Sequence, residues 1–258
     1  MPPSPSSPAA RSPRTRAPRP DASDAVRREW MRRVQAEYRS AAITHHLTFW
    51  LIQIGASPDL IEAGLRIVKD ELVHARMSHR TYAAAGGREA PALVQETLAL
   101  PHPPGEALFL SLARSGVEIF CLGETVAVPL FKVLREGCTV ATARRALDRI
   151  LVDEVRHRDF GWTLLDWLLE QPFAEAVRAL VTADLPRMLA NVRRSYAPNW
   201  AEKREVIPPA DRAWGLMPLA RYAQILERTV ARDYVPRFRA HGIDAEAAWV
   251  KAKAISAG

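Results

Sequence analysis

Ile67-Val68-Lys69-Asp70-Glu71-Leu72-Val73-His74 and, 83 residues on, Ile150-Leu151-Val152-Asp153-Glu154-Val155-Arg156-His157 repeat one pattern, an apolar lead followed by Asp-Glu-x-x-His. On a helix, residues three apart share a face with Cβ atoms about 5–6 Å from each other, so the Glu and His of each copy can grip one ion. A single Glu-x-x-His says little, because both residues are common on helix surfaces. Two copies in matching apolar surroundings, each preceded by another long helical pattern carrying a Glu, indicate a two-metal site inside a four-helix bundle. The shared lead is a weak internal repeat, consistent with two related halves placed face to face.

Working outward, the first long helix is expected from Ser23-Asp24 to Ile54, with Trp30, Val34, Ala41, His45, Thr48 and Ile52 on its inner side. Gly55-Ala56-Ser57-Pro58-Asp59 stops that helix and starts the next, with Gly55 at the left-handed end position, Ser57 as N-cap and Pro58 in the first turn. The second helix then runs to Ala85, before Gly86-Gly87. Residues 86–104 are the crossover needed to join two hairpins. A third helix is expected over 106–136, interrupted at Pro129, and a fourth from a Thr139 N-cap to Glu170, ahead of Gln171-Pro172. Beyond it the pattern stays helical to Ser195 with a bend at Pro186, and breaks at 196–200 and at Ile207-Pro208-Pro209. Shorter helices follow over 218–235 and 244–254. The organisation is therefore a tail (1–22), a dimetal four-helix bundle (23–171) and a C-terminal helical extension packed on it (172–258).

Composition agrees with an all-α protein. Leu, Ala and Arg dominate, strand-like alternation is hard to find, and 48% hydrophobic residues are ample for a sizeable core. Cys121 and Cys138 have no paired spacing, which argues against a disulfide framework or a thiolate cluster. The net charge of +7 suggests nucleic acid until it is located. Residues 1–20 hold Arg11, Arg14, Arg16 and Arg19, seven prolines and no acid, so +3 (7 minus 4) remains on the folded part. The tail reads as disordered and polyproline-like, without the apolar core of a secretory signal or the amphipathic helix of a transit peptide. No stretch is apolar enough to span a membrane, and a cytoplasmic protein is expected.

A four-helix metal site needs one more carboxylate from each of the other two helices, so that four carboxylates bridge two cations while the imidazoles cap the ends. On the first helix Glu37 has no acidic competitor between Glu29 and Asp59 and lies on the apolar face. The third helix offers Glu118 and Glu124, which point about 120° apart on a regular helix. Glu124 is flanked at helical spacing by Val117, Phe120, Cys121, Val128 and Phe131. Glu118 has Ser111, Arg114, Ser115 and Thr125 around it, and Arg114 one turn back could pair with it. A carboxylate on an apolar face has more need of a cation, which favours Glu124 and keeps Glu118 as the alternative. The metal set is thus Glu37, Glu71, His74, Glu124, Glu154 and His157.

Three segments resemble the ferritin-like superfamily of dimetal-carboxylate proteins, and within it the bacterial ferritin-like domain proteins related to diiron N-oxygenases. They are Ala36-Glu37-Tyr38 with the following Ser-Ala-Ala run, Asp70-Glu71-Leu72-Val73-His74-Ala75-Arg76, and Gly123-Glu124-Thr125 ahead of Asp153-Glu154-Val155-Arg156-His157. The resemblance spans roughly residues 28–170. It implies iron, with manganese or a mixed pair as variants, and makes the Gly-Glu-Thr glutamate, Glu124, the third-helix ligand. It also implies that Asp70 and Asp153 support the His of the opposite helix. The chain departs from the N-oxygenases at Tyr38, where a His often follows the first Glu, and at Ile150, where those enzymes place an additional His ligand.

The function expected is a diiron or dimanganese oxidoreductase, an oxygenase or oxidase, that activates O2 to oxidise a small molecule. The alternatives are a ferroxidase or iron-binding protein and a tRNA-modifying diiron hydroxylase. For the last, Arg187, Arg193, Arg194, Arg204, Arg221, Arg228 and Arg232 would form a phosphate-binding face, but Asp184, Glu202, Glu205 and Asp211 interrupt it, which argues against nucleic acid. His45, His46, Tyr38, Tyr82, Phe160, Trp162 and Trp167 are read as structural. Oligomeric state is left open, a homodimer included.

Overall fold

The computed structural model describes residues 22–196 and 206–255, and every regular element among them is helical. The tail to residue 21, the break after Tyr196, and Glu202, Arg204 and Glu205 lie outside the described residues. Helix α1 (Asp24–Gln53) opens as expected, with the Ser23 hydroxyl accepting the Val26 amide. Gly55, at φ 71°, ends the connection that only a residue without Cβ adopts freely, and Pro58 starts α2 (Pro58–Ala84). So short a link turns α2 back along α1, against which it packs. Residues 85–107 cross over with a single 3-10 turn, Gln95–Thr97.

The next rod has three parts: α3 (Leu108–Gly116), a π-helical segment (Val117–Glu124) and α4 (Thr125–Gly137). Helix α5 (Ala141–Leu169) packs against α2 on one side and against the π segment and α4 on the other. Helix α6 (Ala174–Tyr196) lies across α3, the π segment and α5. After α7 (Pro209–Ala213) come α8 (Leu219–Thr229), a second π turn (Val230–Tyr234), α9 (Val235–Ala240) and α10 (Ala245–Ile255). One continuous apolar core joins all of these: Trp30, Phe120, Leu147 and Leu164 belong to it, and so do Leu185 and Phe238 of the C-terminal helices.

Several expectations need correction. The third rod does not break at Pro129, which lies inside α4; its departure from α geometry comes a turn earlier, in the π segment. Thr139 is not an N-cap. Its amide and that of Val140 both donate to the Ala213 carbonyl at 2.9 Å, so α5 begins at Ala141 instead. On α1 the buried stripe passes through Ala41, Thr44, Thr48 and Leu51, whereas His45 and Ile52 are exposed; a stripe advancing by 3, 4 and 3 was read as 4, 3 and 4. Helicity continues past 235 to Ala240: Pro236 lies just after the π turn Val230–Tyr234, inside a rod that runs on unbroken from α8. The Pro208-Pro209 break itself contains a short helix, α7.

Candidate metal centre

The two Asp-Glu-x-x-His motifs face each other across the α2–α5 contact, and their acids and imidazoles are all buried. The two imidazole rings lie 5.8 Å apart, centre to centre. Both Nδ1 atoms approach the same carboxylates. His74 Nδ1 is 3.6 Å from Glu71 Oε2 and 4.0 Å from Glu154 Oε1. His157 Nδ1 is 3.3 Å from Glu71 Oε1 and 3.4 Å from Glu154 Oε2. Glu71 and Glu154 therefore each offer one oxygen to either imidazole.

The other two helices complete the arrangement asymmetrically. Glu37 of α1 comes within 3.7 Å of His74 Nδ1, and with Glu71 and His74 it forms one cluster of possible ligand atoms all within 4.8 Å of one another. Glu124, at the end of the π segment, forms the matching cluster with Glu71 and His157. The structure thus brings Glu37, Glu71, His74, Glu124, Glu154 and His157 together. Glu118 belongs to neither cluster: Asn191 of α6 donates to its Oε1 at 2.7 Å, and it lines the same cavity as Glu124. The expected Arg114–Glu118 pair does not form, because Arg114 engages Glu106 and Asp184, both at 2.8 Å.

Behind each imidazole stands the aspartate of the opposite motif. His74 Nε2 is 3.0 Å from Asp153 Oδ2, and His157 Nε2 is 3.6 Å from Asp70 Oδ2. At His74 this acceptor holds a proton on Nε2 and leaves Nδ1 facing inward, whereas His157 Nε2 is near Asp70 without a hydrogen bond to it. Arg149 and Arg156 bridge the two aspartates: Arg149 reaches Asp153 at 2.5 Å and Asp70 at 3.0 Å, and Arg156 reaches Asp70 at 3.0 Å and pairs with Asp153. Both arginines were legible, since Arg156 is part of the second motif and Arg149 lies one turn before Asp153, yet neither residue type is a metal ligand.

The electrostatics of the cluster follow from its burial. Burial pushes the Glu37 carboxyl up to about 8 against the pull of His74, and it raises Glu124 well above the carboxylate range with help from Glu154 and Glu71. Burial works in the opposite sense on His74, but Asp153, Glu37 and Glu71 outweigh it and raise the imidazole to about 12. His157 is likewise raised, by Asp70, Glu154 and Glu71. Burial opposes ionisation of Asp70 and Glu71, but both are held well below the usual range by the neighbouring His157, with Arg156 adding to the effect on Asp70 and His74 on Glu71. With every carboxylate ionised and both imidazoles neutral, as metal binding would require, six carboxylates (Glu37, Asp70, Glu71, Glu124, Asp153 and Glu154) against the two guanidiniums carry a formal −4, which two divalent cations would cancel. The raised proton affinity of Glu37, Glu124, His74 and His157 meets the same charge with four protons.

The donor atoms themselves test whether metals fit. Glu71 Oε2, His74 Nδ1, Glu154 Oε2 and His157 Nδ1 are buried without a hydrogen-bond partner. An orphaned buried polar atom costs about 1–3 kcal/mol, and these four fall in two pairs, Glu71 Oε2 with His74 Nδ1 at 3.6 Å and Glu154 Oε2 with His157 Nδ1 at 3.4 Å, a cost that bound cations would relieve. Carboxylates with imidazoles are the donors that iron and manganese accept, and thiolates are absent from the cluster: Cys121 and Cys138 are free, buried elsewhere, and pushed up by burial, Cys138 to about 11.

Among the residues read as structural, His46 Nδ1 accepts the Leu100 amide, Tyr82 accepts the Glu89 amide, and Tyr38 and His45 face outward. Tyr196 of α6, which no sequence pattern marks, feels the charges of the cluster. Burial raises its phenol, and the negative charges of Glu124, Glu154 and Glu37 add to the shift. Tyr196 and Glu124 line an open cavity of about 790 Å³ bounded by α1, the π segment, the end of α6 and residues 207–222. No family model, no curated protein and no solved structure matches the chain, and the reading of this centre rests on its own residues.

Proposed function

We propose that the chain is a ferritin-like diiron oxidoreductase, an oxygenase or oxidase acting on a small molecule, with dimanganese or a mixed pair as variants of the same site. The observation that supports it is the convergence of four carboxylates and two imidazole Nδ1 atoms with buried lone pairs left unpartnered. Glu37 and His74 would hold one ion, Glu124 and His157 the other, and Glu71 and Glu154 both. Once bound in reduced form, such a pair supplies reductive activation of O2.

The protein's own residues supply position and access. Asp153 orients His74 by a hydrogen bond, Asp70 stands behind His157, and Arg149 and Arg156 hold both aspartates from outside. Glu124 is the one member of the ligand set on the cavity wall, so a substrate would approach from that side. The cavity falls within the range of small-molecule sites, roughly 300–1,000 Å³. Ile43 and Ile119 give it apolar surface, and Val192, Tyr196, Met217 and Tyr222 come from the C-terminal extension. Iron storage has no need of such a wall, which favours the oxidoreductase over the ferroxidase. The tRNA reading is weakened by Arg187 and Arg194, which are engaged by Asp184 and Asn191.

Anaerobic Fe(II) loading tests the central claim: two ions per chain are expected, and Glu71→Ala or His157→Ala should remove most of that binding. Absence of stoichiometric metal in the parent protein would sink it. O2 consumption by the Fe(II) form against a metabolite pool then separates the alternatives. An oxidised organic product supports the oxidoreductase, Fe(III) accumulation alone points to a ferroxidase, and tRNA binding that falls steeply with salt points to the hydroxylase.

A further inference from the structure

Glu124 stands where the π segment returns to α geometry, and the chain on both sides of it is held from outside the helix. Two residues before it, the Leu122 carbonyl accepts the Thr125 amide and also, at 2.6 Å, the hydroxyl of Tyr234. Tyr234 is fully buried and closes the second π turn, 112 residues further on. One residue after Glu124, the buried Thr125 hydroxyl accepts the indole N–H of Trp162 of α5 at 3.0 Å. A π segment breaks the i to i−4 register, and its backbone groups must find partners elsewhere. Here two aromatic side chains from different elements bind it on either side of the carboxylate. Burial raises the Tyr234 phenol well above its ordinary value, which keeps it a donor at every working pH.

We propose that Tyr234 and Trp162 are positioning residues: by fixing Leu122 and Thr125 they set where the π segment ends, and so place the Glu124 carboxylate opposite Glu71 and His157. The inference rests on the dimetal reading and deepens it. It also makes the two halves of the centre unequal. The Glu37–Glu71–His74 cluster is built on the uninterrupted helices α1 and α2, whereas the Glu71–Glu124–His157 cluster depends on a widened turn held by distant hydroxyl and indole groups.

The test is stepwise binding of Co(II) alone to the full chain, followed by calorimetry and by visible absorption, with a thermal melt of each variant. The parent should take two ions. Tyr234→Phe keeps the ring and removes one hydrogen bond; it should bind the first Co(II) within about twofold of the parent and the second about tenfold more weakly. Trp162→Phe should produce the same selective loss, which keeps the idea testable if either variant folds poorly. Glu124→Gln marks which step belongs to this half of the centre. Parent-like affinity for the second ion in both variants would overturn the proposal. So would equal weakening of both ions in proportion to a lowered melting temperature, the signature of a merely structural role. A parent that binds no Co(II) removes the dimetal reading itself, a different and recognisable failure.

Discussion

Gly161 lies one turn beyond His157 on α5, and the π segment runs directly over it. A Cβ at this position would stand 2.5 Å from Phe120 Cβ, 2.6 Å from the Phe120 carbonyl carbon and 2.8 Å from the Cys121 nitrogen. Non-bonded carbons settle at about 3.5–4.0 Å, so Gly161→Ala forces the two helices apart by about 1 Å. Two opposing effects then compete. Helix propensity alone makes Ala better than Gly by ~1 kcal/mol inside a helix. Overpacking costs about 1–3 kcal/mol and more when the obstacle cannot rotate away. Two of the three obstructing atoms are backbone, and Phe120 is fully buried against Phe160. Sterics should win, with a net loss of about 2 kcal/mol, or a melting temperature lower by roughly 4–8 °C in a chain of this size. Urea unfolding of parent and variant measures it. A Gly161→Ala protein as stable as the parent, or more stable, would show that propensity dominates and that the close approach of α5 to the π segment has been misjudged.

Other consequences can be checked on the same preparations. Glu124→Gln should lose at least one metal ion by direct titration, whereas Glu118→Gln, whose oxygen already serves Asn191, should keep both. Asp153→Asn takes from His74 the carboxylate that orients it, and metal affinity should fall by about 10–100-fold without loss of the fold. Glu29 is lowered to about 2, because Arg33 and Arg32 overcome the burial that would raise it. A lowered carboxylate stabilises the fold above its unfolded value of 4.5, and that stability is lost as pH falls towards 2. Parent and Glu29→Gln should therefore differ by up to about 3 kcal/mol near pH 6 and converge at pH 2; a gap that does not close on acidification would contradict the assignment.

Helix content and most helix ends were legible because caps and stops are local: Ser23, Gly55 and Pro58 act where their residue types imply. The motif pair and Glu37 were legible because an acid buried on an apolar helix face is conspicuous. The π segment was not, since a single inserted residue per turn leaves the apolar pattern of Val117, Phe120, Cys121 and Leu122 intact while rotating everything after it. Its register depends on Tyr234 and Trp162, which are distant in sequence. Thr139 failed as a cap for the same kind of reason, its amide being claimed by Ala213 of α7. Tyr196 carries no motif and gains meaning only from the fold that sets it beside Glu124.

Two openings reach the centre, and their linings differ. A smaller cleft of about 230 Å³ ends on Asp70, Arg156 and His157. A molecule there meets the Nε2 side of the imidazole and a closed ion-pair network, with the inward lone pairs behind them. The large cavity instead ends on Glu124, a ligand candidate whose carboxylate is itself part of the wall. Asp70 and Asp153 are buried and each is held by both arginines, whose heads are partly exposed, so a molecule on this side would have to displace four ion pairs, whereas on the other side it meets Glu124 at the cavity wall. On the proposed reading the Asp–Arg side holds the metals' supports rigid and the Glu124 side is the one that can yield. Substitutions at Ile119 or Met217 should therefore alter which small molecules bind while leaving metal uptake unchanged, and substitutions at Arg149 or Arg156 should do the reverse.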